Sequence, residues 1–154
     1  MPFIVILLLL AAAIGGGTSV AARHSLPGEP LWGFKTGVNE RIGSALAPEG
    51  NAQASFDIAA IEERIREAAA LAAGSKLSAE LKAKIESNVE THAKSVVAEI
   101  TTIGSAGGYA IASDIAARYQ SALSKTVSGG LEIRAALDEA SRLFADLDQK
   151  TNQQ

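Results

Sequence analysis

From residue 30 onward the large apolar side chains recur every three or four positions, and no segment alternates apolar with polar at every second residue. A period near 3.6 marks one face of an α-helix, whereas a half-buried strand needs a period of two. The pattern therefore points to an all-α fold. Abundant Ala, Glu, Lys and Leu, with only four prolines, agree with that reading.

Five helical segments are expected. The first, over about 30–46, carries Leu31, Phe34, Val38, Ile42 and Leu46 on one stripe and ends before Pro48. The second, over about 53–73, aligns Ile58, Ile61, Ile65, Ala68 and Ala72, turns Glu62, Glu63, Arg66 and Glu67 outward, and stops at Gly74. Ser78 caps the third, over about 79–102, whose stripe is Leu81, Ile85, Val89, His92, Val96, Ile100 and Ile103. The fourth, over about 109–127, shows Ile111, Ile115, Tyr119, Leu123 and Val127. Gly129-Gly130 separates it from the fifth, over about 131–149, with Ile133, Leu137, Ala140, Phe144 and Leu147. Short connections make consecutive helices antiparallel neighbours. The expected architecture is an antiparallel bundle of four long helices plus a shorter N-terminal helix.

Ahead of these helices lies a different kind of sequence. Phe3 to Ile14 is an uninterrupted apolar run, and the first charged side chain of the whole chain is Arg23. A run of that length suits the core of a signal peptide, and Val20-Ala21-Ala22 offers small residues for a cut before Arg23. Read as a whole, residues 3–22 are an uncharged span just long enough to cross a bilayer. Residues 1–22 are thus a signal peptide or a membrane anchor, residues 23–150 an extracytoplasmic helical domain, and residues 151–154 a tail. No Lys or Arg precedes the run, so the expectation is a true start upstream of Met1 or a miscalled translation start.

The junction between the two parts is Ser25-Leu26-Pro27-Gly28-Glu29-Pro30-Leu31-Trp32-Gly33-Phe34-Lys35. Pro27-Gly28 is a turn signal, and Pro30 suits a helix start. This junction resembles a segment found in a family of exported or membrane-anchored bacterial proteins of unknown function. In that family a signal or single span is followed by Leu-Pro-Gly-acidic-x-Leu-aromatic-x-x-Lys and then by Ala/Glu-rich antiparallel helices. Leu26, Pro27, Gly28, Glu29, Leu31, Trp32 and Lys35 match the segment, and Glu40 stands where the family tends to carry an acidic residue. Phe56 to Ala68 is similar to the next family block, and His92 lies where similar proteins often place a histidine. The likeness spans roughly residues 19–128. It implies an exported helical protein of a bacterial envelope and implies no reaction.

The chemistry of the chain is sparse. With no cysteine, thiolate catalysis, disulfides and Cys-based zinc sites are excluded. A net charge of -3 with interspersed signs lacks the basic stripe of a nucleic-acid binder. Gly-x-Ser-x-Gly, Ser-x-x-Lys and Gly-Lys-Ser/Thr patterns are missing, so no enzymatic activity and no cofactor are expected. Acidic residues alternate with basic ones at helical spacing, as in Glu80 with Lys84 and Glu90 with Lys94, which describes solvated helix faces.

His92 is the one side chain that invites a site. It sits on an apolar stripe, but Asn88, Val89, Ser95 and Val96 occupy the positions where a second metal ligand would stand. A semi-buried, hydrogen-bonded histidine is the first expectation, and a metal-binding or pH-sensing role the second. His24, beside the cleavage region, is expected to be exposed. Either Phe34 joins the core stripe and Trp32 covers a helix end, or both rings rest at a bilayer surface. Three roles remain open from the sequence: a non-enzymatic domain acting through contacts with an unknown envelope protein, a sensor binding a metal or small ligand near His92, and a holdase-like chaperone. Residues 1–22 add a membrane contact if they stay uncleaved.

Overall fold

The computed structural model describes residues 17, 20–125, 131 and 134–151, and all the regular structure among them is helical. The fold class is all-α. Of the signal or anchor segment, residues 1–16, 18 and 19 lie outside the described residues, as do Val127, Gly129-Gly130, Ile133 and the tail 152–154. No helix among the described residues is long and apolar enough to cross a membrane. The chain divides into two compact units, Met1–Gly43 and Ser44–Gln154.

In the first unit the Pro27-Gly28 turn forms as the sequence requires. Gly28 takes φ +95°, and the Glu29 amide donates to the Leu26 carbonyl at 3.0 Å. Proline second and a left-handed glycine third define a type II turn. The Glu29 carboxylate closes it from the other side by accepting from the Leu26 amide at 2.8 Å. Ser25 is buried, and its hydroxyl donates to the Ala22 carbonyl at 2.7 Å. Helix α1 (Trp32–Phe34) then runs through a π-helical turn, Lys35–Asn39, into α2 (Glu40–Leu46).

That π-turn overturns one expectation. A π-turn takes an extra residue per revolution, so side chains beyond it no longer continue the face set before it. Leu31 and Phe34 are half-buried, but Val38, Ile42 and Leu46 are exposed at 38%, 54% and 77%. The predicted core stripe of this first segment is therefore not a core stripe. Lys35, from the family-like segment, is instead buried.

The second unit holds four longer helices: α3 (Asn51–Ala73), α4 (Ala79–Ser105), α5 (Tyr109–Ser124) and α6 (Arg134–Thr151). Helices α3 and α4 pack together, as do α5 and α6, and α5 also packs on α3 and α4. Ile61, Ile85, Val89, Val96, Ile115, Tyr119 and Leu123 are fully buried, so the stripes on α3, α4 and α5 do form the core. Each buried Ile, Leu or Val stabilises the fold by roughly 1.5–3 kcal/mol relative to exposure. Ile111 departs from its stripe and is 51% exposed, and Ala72 is exposed as well.

The helix ends show how local chemistry sets the lengths. Ser78 caps α4 as expected, its hydroxyl accepting from the Leu81 amide at 3.2 Å. Helices α3 and α4 both end in a Schellman motif. At α4 the Gly108 amide reaches the Ile103 carbonyl and the Gly107 amide the Gly104 carbonyl, with Gly107 left-handed at φ +85°. At α3 the Lys76 amide reaches the Leu71 carbonyl and the Ser75 amide the Ala72 carbonyl. The left-handed residue there is Ser75, at φ +54°, and not Gly74. The helix ends at Ala73 with Gly74 as its C-cap, as expected, and Ser75 is the left-handed residue that follows.

One polar expectation for α3 also changes. Glu67 is 3% exposed rather than outward-facing, and lies 2.9 Å from the guanidinium of Arg64, which is fully buried. Arg66 pairs with Glu63 at 2.8 Å, while Glu62 pairs with Lys125, the C-cap residue of α5, at 2.7 Å.

Candidate functional site

His92 meets Asp57 across the α3–α4 interface. Its Nδ1 lies 2.6 Å from Asp57 Oδ1, with the imidazole side chain 13% exposed and the carboxylate side chain 4%. An ionised carboxylate only accepts, so Nδ1 carries the proton in this pair. The other carboxylate oxygen accepts from the Ser95 hydroxyl at 2.6 Å and from the Gln53 amide at 2.9 Å. That same Gln53 nitrogen donates its second hydrogen to the Ser44 hydroxyl at 3.0 Å. Phe56 packs its ring edge-on to the imidazole, with centroids 6.4 Å apart.

Helical spacing explains why these side chains converge. Asp57 stands on the buried face of α3 between Ala54 and Ile61, and Gln53 precedes it by one turn. On α4, His92, Ser95 and Glu99 follow one another along the face that meets α3. Glu99 completes the seam by accepting from the Gly50 amide at 2.7 Å, ahead of the first residue of α3. Moving up α4 from His92 to Glu99 therefore moves down α3 from Asp57 to Gly50. The two helices run in opposite directions, locked by a row of side-chain hydrogen bonds.

The electrostatics favour an ionised Asp57. Burial pushes its carboxyl pKa up, but hydrogen bonds from His92, Ser95 and Gln53, together with the nearby imidazole charge, outweigh burial and hold it below the ordinary value of 3.8. Each oxygen has at least one donor, so the buried charge is compensated where it lies.

This arrangement does not activate a nucleophile. In a Ser-His-Asp relay the hydroxyl donates to the imidazole and the carboxylate orients the ring from behind. Here Ser95 and His92 both donate to the carboxylate, and neither polarises the other. His92, the weak metal candidate, presents Nδ1 to Asp57 as a donor. Among the described residues no group of three or more His, Asp or Glu side chains is placed to hold a metal ion. Asp57, Gln53 and Ser95 were not singled out by the sequence. The available signal was a carboxylate set into the apolar stripe of α3, matching a histidine set into that of α4.

The family-like segment lies in the other unit and forms a turn instead of a pocket of converging groups. Pro27 is buried, Leu26, Leu31 and Trp32 are half-buried, and Gly28 and Glu29 are exposed. His24 is exposed, as expected, and borders a shallow hollow with Ser25, Glu29 and Leu31.

A second cavity, of about 260 Å³, opens in the second unit between α4, α5 and α6. Ile100, Gly104 and Leu147 form its floor, and Tyr109, Asp146 and Lys150 stand around it. A further buried polar group, the Tyr119 hydroxyl, has no hydrogen-bond partner among the described residues. Burial and the charge of Glu139 push its phenol pKa well above the ordinary range. Compared with known proteins, the chain matches no family model, no curated protein and no solved structure at a significant level.

Proposed function

We propose that this chain is a non-enzymatic domain that works outside the cytoplasm of a bacterium through contacts with a protein of the cell envelope. Residues 1–22 deliver it there as a cleaved signal or a retained anchor. In this reading α3 to α6 form an antiparallel four-helix bundle, with α1 and α2 as the shorter N-terminal helix. The opposed run of α3 and α4 supports that architecture. So do the ties from α5 to α3, where Arg118 donates to Asn51 at 2.8 Å and to Ser55 at 3.1 Å, and Lys125 meets Glu62 one helical stretch further on.

The observation that carries the functional reading is the exposure of large aliphatic side chains in both units. Val38 and Ile42 in the first, and Leu46 and Ile111 in the second, stand in solvent where the helical pattern called for burial. The hydrogen bonding of Ser95 and His92, both spent on Asp57, favours a structural role for the polar seam over catalysis.

The test is site-specific photocrosslinking of the full chain in cells, with the crosslinker at Ile42, Leu46 or Ile111, and at exposed Thr91 as control. A discrete envelope adduct from the aliphatic positions, lost when the same residue's neighbours are changed to serine while the melting temperature holds, supports the reading. Equal labelling from Thr91 and the aliphatic positions contradicts it.

A further inference from the structure

The cavity beside α6 is built from three helices of one unit, and its chemistry is divided. Its floor is aliphatic: Ile100 and Leu147 are 1% and 5% exposed, and Gly104 brings the helices close, since an added Cβ there would lie 3.4 Å from Leu147 Cδ2. Its rim is polar and carries one cation. The Lys150 ammonium pairs with Asp146 at 2.8 Å, in side chains 49% and 55% exposed, and Tyr109 lines the same cavity.

An i,i+4 ion pair this exposed is weak, because water screens it and holding both side chains in place costs entropy. Lys150 can therefore exchange Asp146 for another anion at small cost. Tyr109 also begins α5, and the N-cap residue Gly108 offers no side-chain cap, so the positive end of that helix dipole faces the same region. The carboxylate of Asp146 remains at the rim and disfavours a doubly charged guest. At about 260 Å³ the cavity lies just below the usual range for drug-sized ligands.

We propose that this cavity binds a small amphipathic monoanion, an aromatic or short aliphatic carboxylate, with its apolar body on Ile100 and Leu147 and its carboxylate on Lys150. The cavity shares no lining residue with the His92 seam or with the exposed aliphatic set, so it stands or falls independently of the envelope-contact reading.

Sodium benzoate is the probe, titrated into isotope-labelled full-length protein while backbone amide signals are followed by NMR. Saturable shifts confined to Ile100–Ser105, Tyr109 and Asp146–Lys150 are expected. Neutral benzamide should bind about tenfold more weakly, as should benzoate to the surface variant Lys150→Gln, which corresponds to about 1.4 kcal/mol. Asp146→Asn should tighten benzoate binding, because the competing carboxylate is gone. Shifts that never saturate, shifts centred elsewhere, or equal affinity of benzoate for the wild type and Lys150→Gln would each overturn the proposal.

Discussion

Asp57 and His92, 35 residues apart in the chain, are joined at 2.6 Å inside the α3–α4 interface, and Asp57 gathers further bonds around the pair. Ser95 and Gln53 reach its second oxygen, and Gln53 carries the link on to Ser44. Apolar stripes bring two helices together but tolerate sliding by a turn. A buried carboxylate that needs particular donors does not, because any other register would leave its charge uncompensated.

Removing the hub should therefore be expensive. Asp57→Ala leaves the buried donors of His92, Ser95 and Gln53 facing one another, and a destabilisation of about 3–5 kcal/mol is expected in urea unfolding. Asp57→Asn, which keeps an acceptor oxygen, should lose less. In a double-mutant cycle with His92→Ala the coupling should be about 1.5–3 kcal/mol, the range for hydrogen bonds to charged groups. A coupling near zero would show that the pair does not fasten the helices.

The same carboxylate gives a pH signature. Its pKa in the folded protein lies below the ordinary 3.8, so the unfolded chain binds the proton more readily. The stability that Asp57 contributes is fully present above that ordinary value and is lost as pH falls through the lower folded value. The difference in unfolding free energy between wild type and Asp57→Asn should shrink as pH falls below about 4. A difference that collapses between pH 7 and 6 would contradict the assignment.

Much of the helical pattern was readable from spacing alone. Ile58, Ile61 and Ile65, and Ile85, Val89 and Val96, are buried as their period demands, and Ser78 caps its helix. What spacing does not contain is the pairing of one helix with another. Asp57 and Arg64 sit in line with the isoleucines of α3, and only the register against α4 tells that the first meets a histidine. The first stripe failed for a different reason: the π-turn at Lys35–Asn39 breaks the 3.6 period on which the expectation rested. Glu67 looked solvent-facing because the burial of Arg64 beside it has no sequence signal.

Ser75 offers a clean test of the α3 terminus. It occupies the left-handed position of a Schellman motif at φ +54°, where an L-residue is strained by roughly 1–2 kcal/mol relative to glycine. Ser75→Gly should raise stability by about 1 kcal/mol, less the entropy that glycine adds to the unfolded chain. A loss of stability in the same melt would mean that Ser75 is not in that conformation.

Tyr119 makes the opposite point about a polar group. Its hydroxyl is buried with no partner among the described residues, so removing it should relieve a desolvation penalty. Tyr119→Phe is expected to be neutral or stabilising by up to about 1 kcal/mol, where a hydrogen-bonded tyrosine would lose about that much. Urea denaturation of the two proteins decides the sign.

The apolar core itself is tested at Ile61, which is fully buried at the centre of α3. Ile61→Asp places an unpaired charge there and should abolish cooperative unfolding. A helical variant with an unchanged melting curve would remove the core assignment for this face.

The functional account rests on where the protein resides, and fractionation with intact-mass measurement addresses that most directly. A species outside the cytoplasm is the predicted result, either soluble and beginning at Arg23 or membrane-bound and retaining residues 1–22. A soluble cytoplasmic protein that keeps its apolar N-terminus would contradict it.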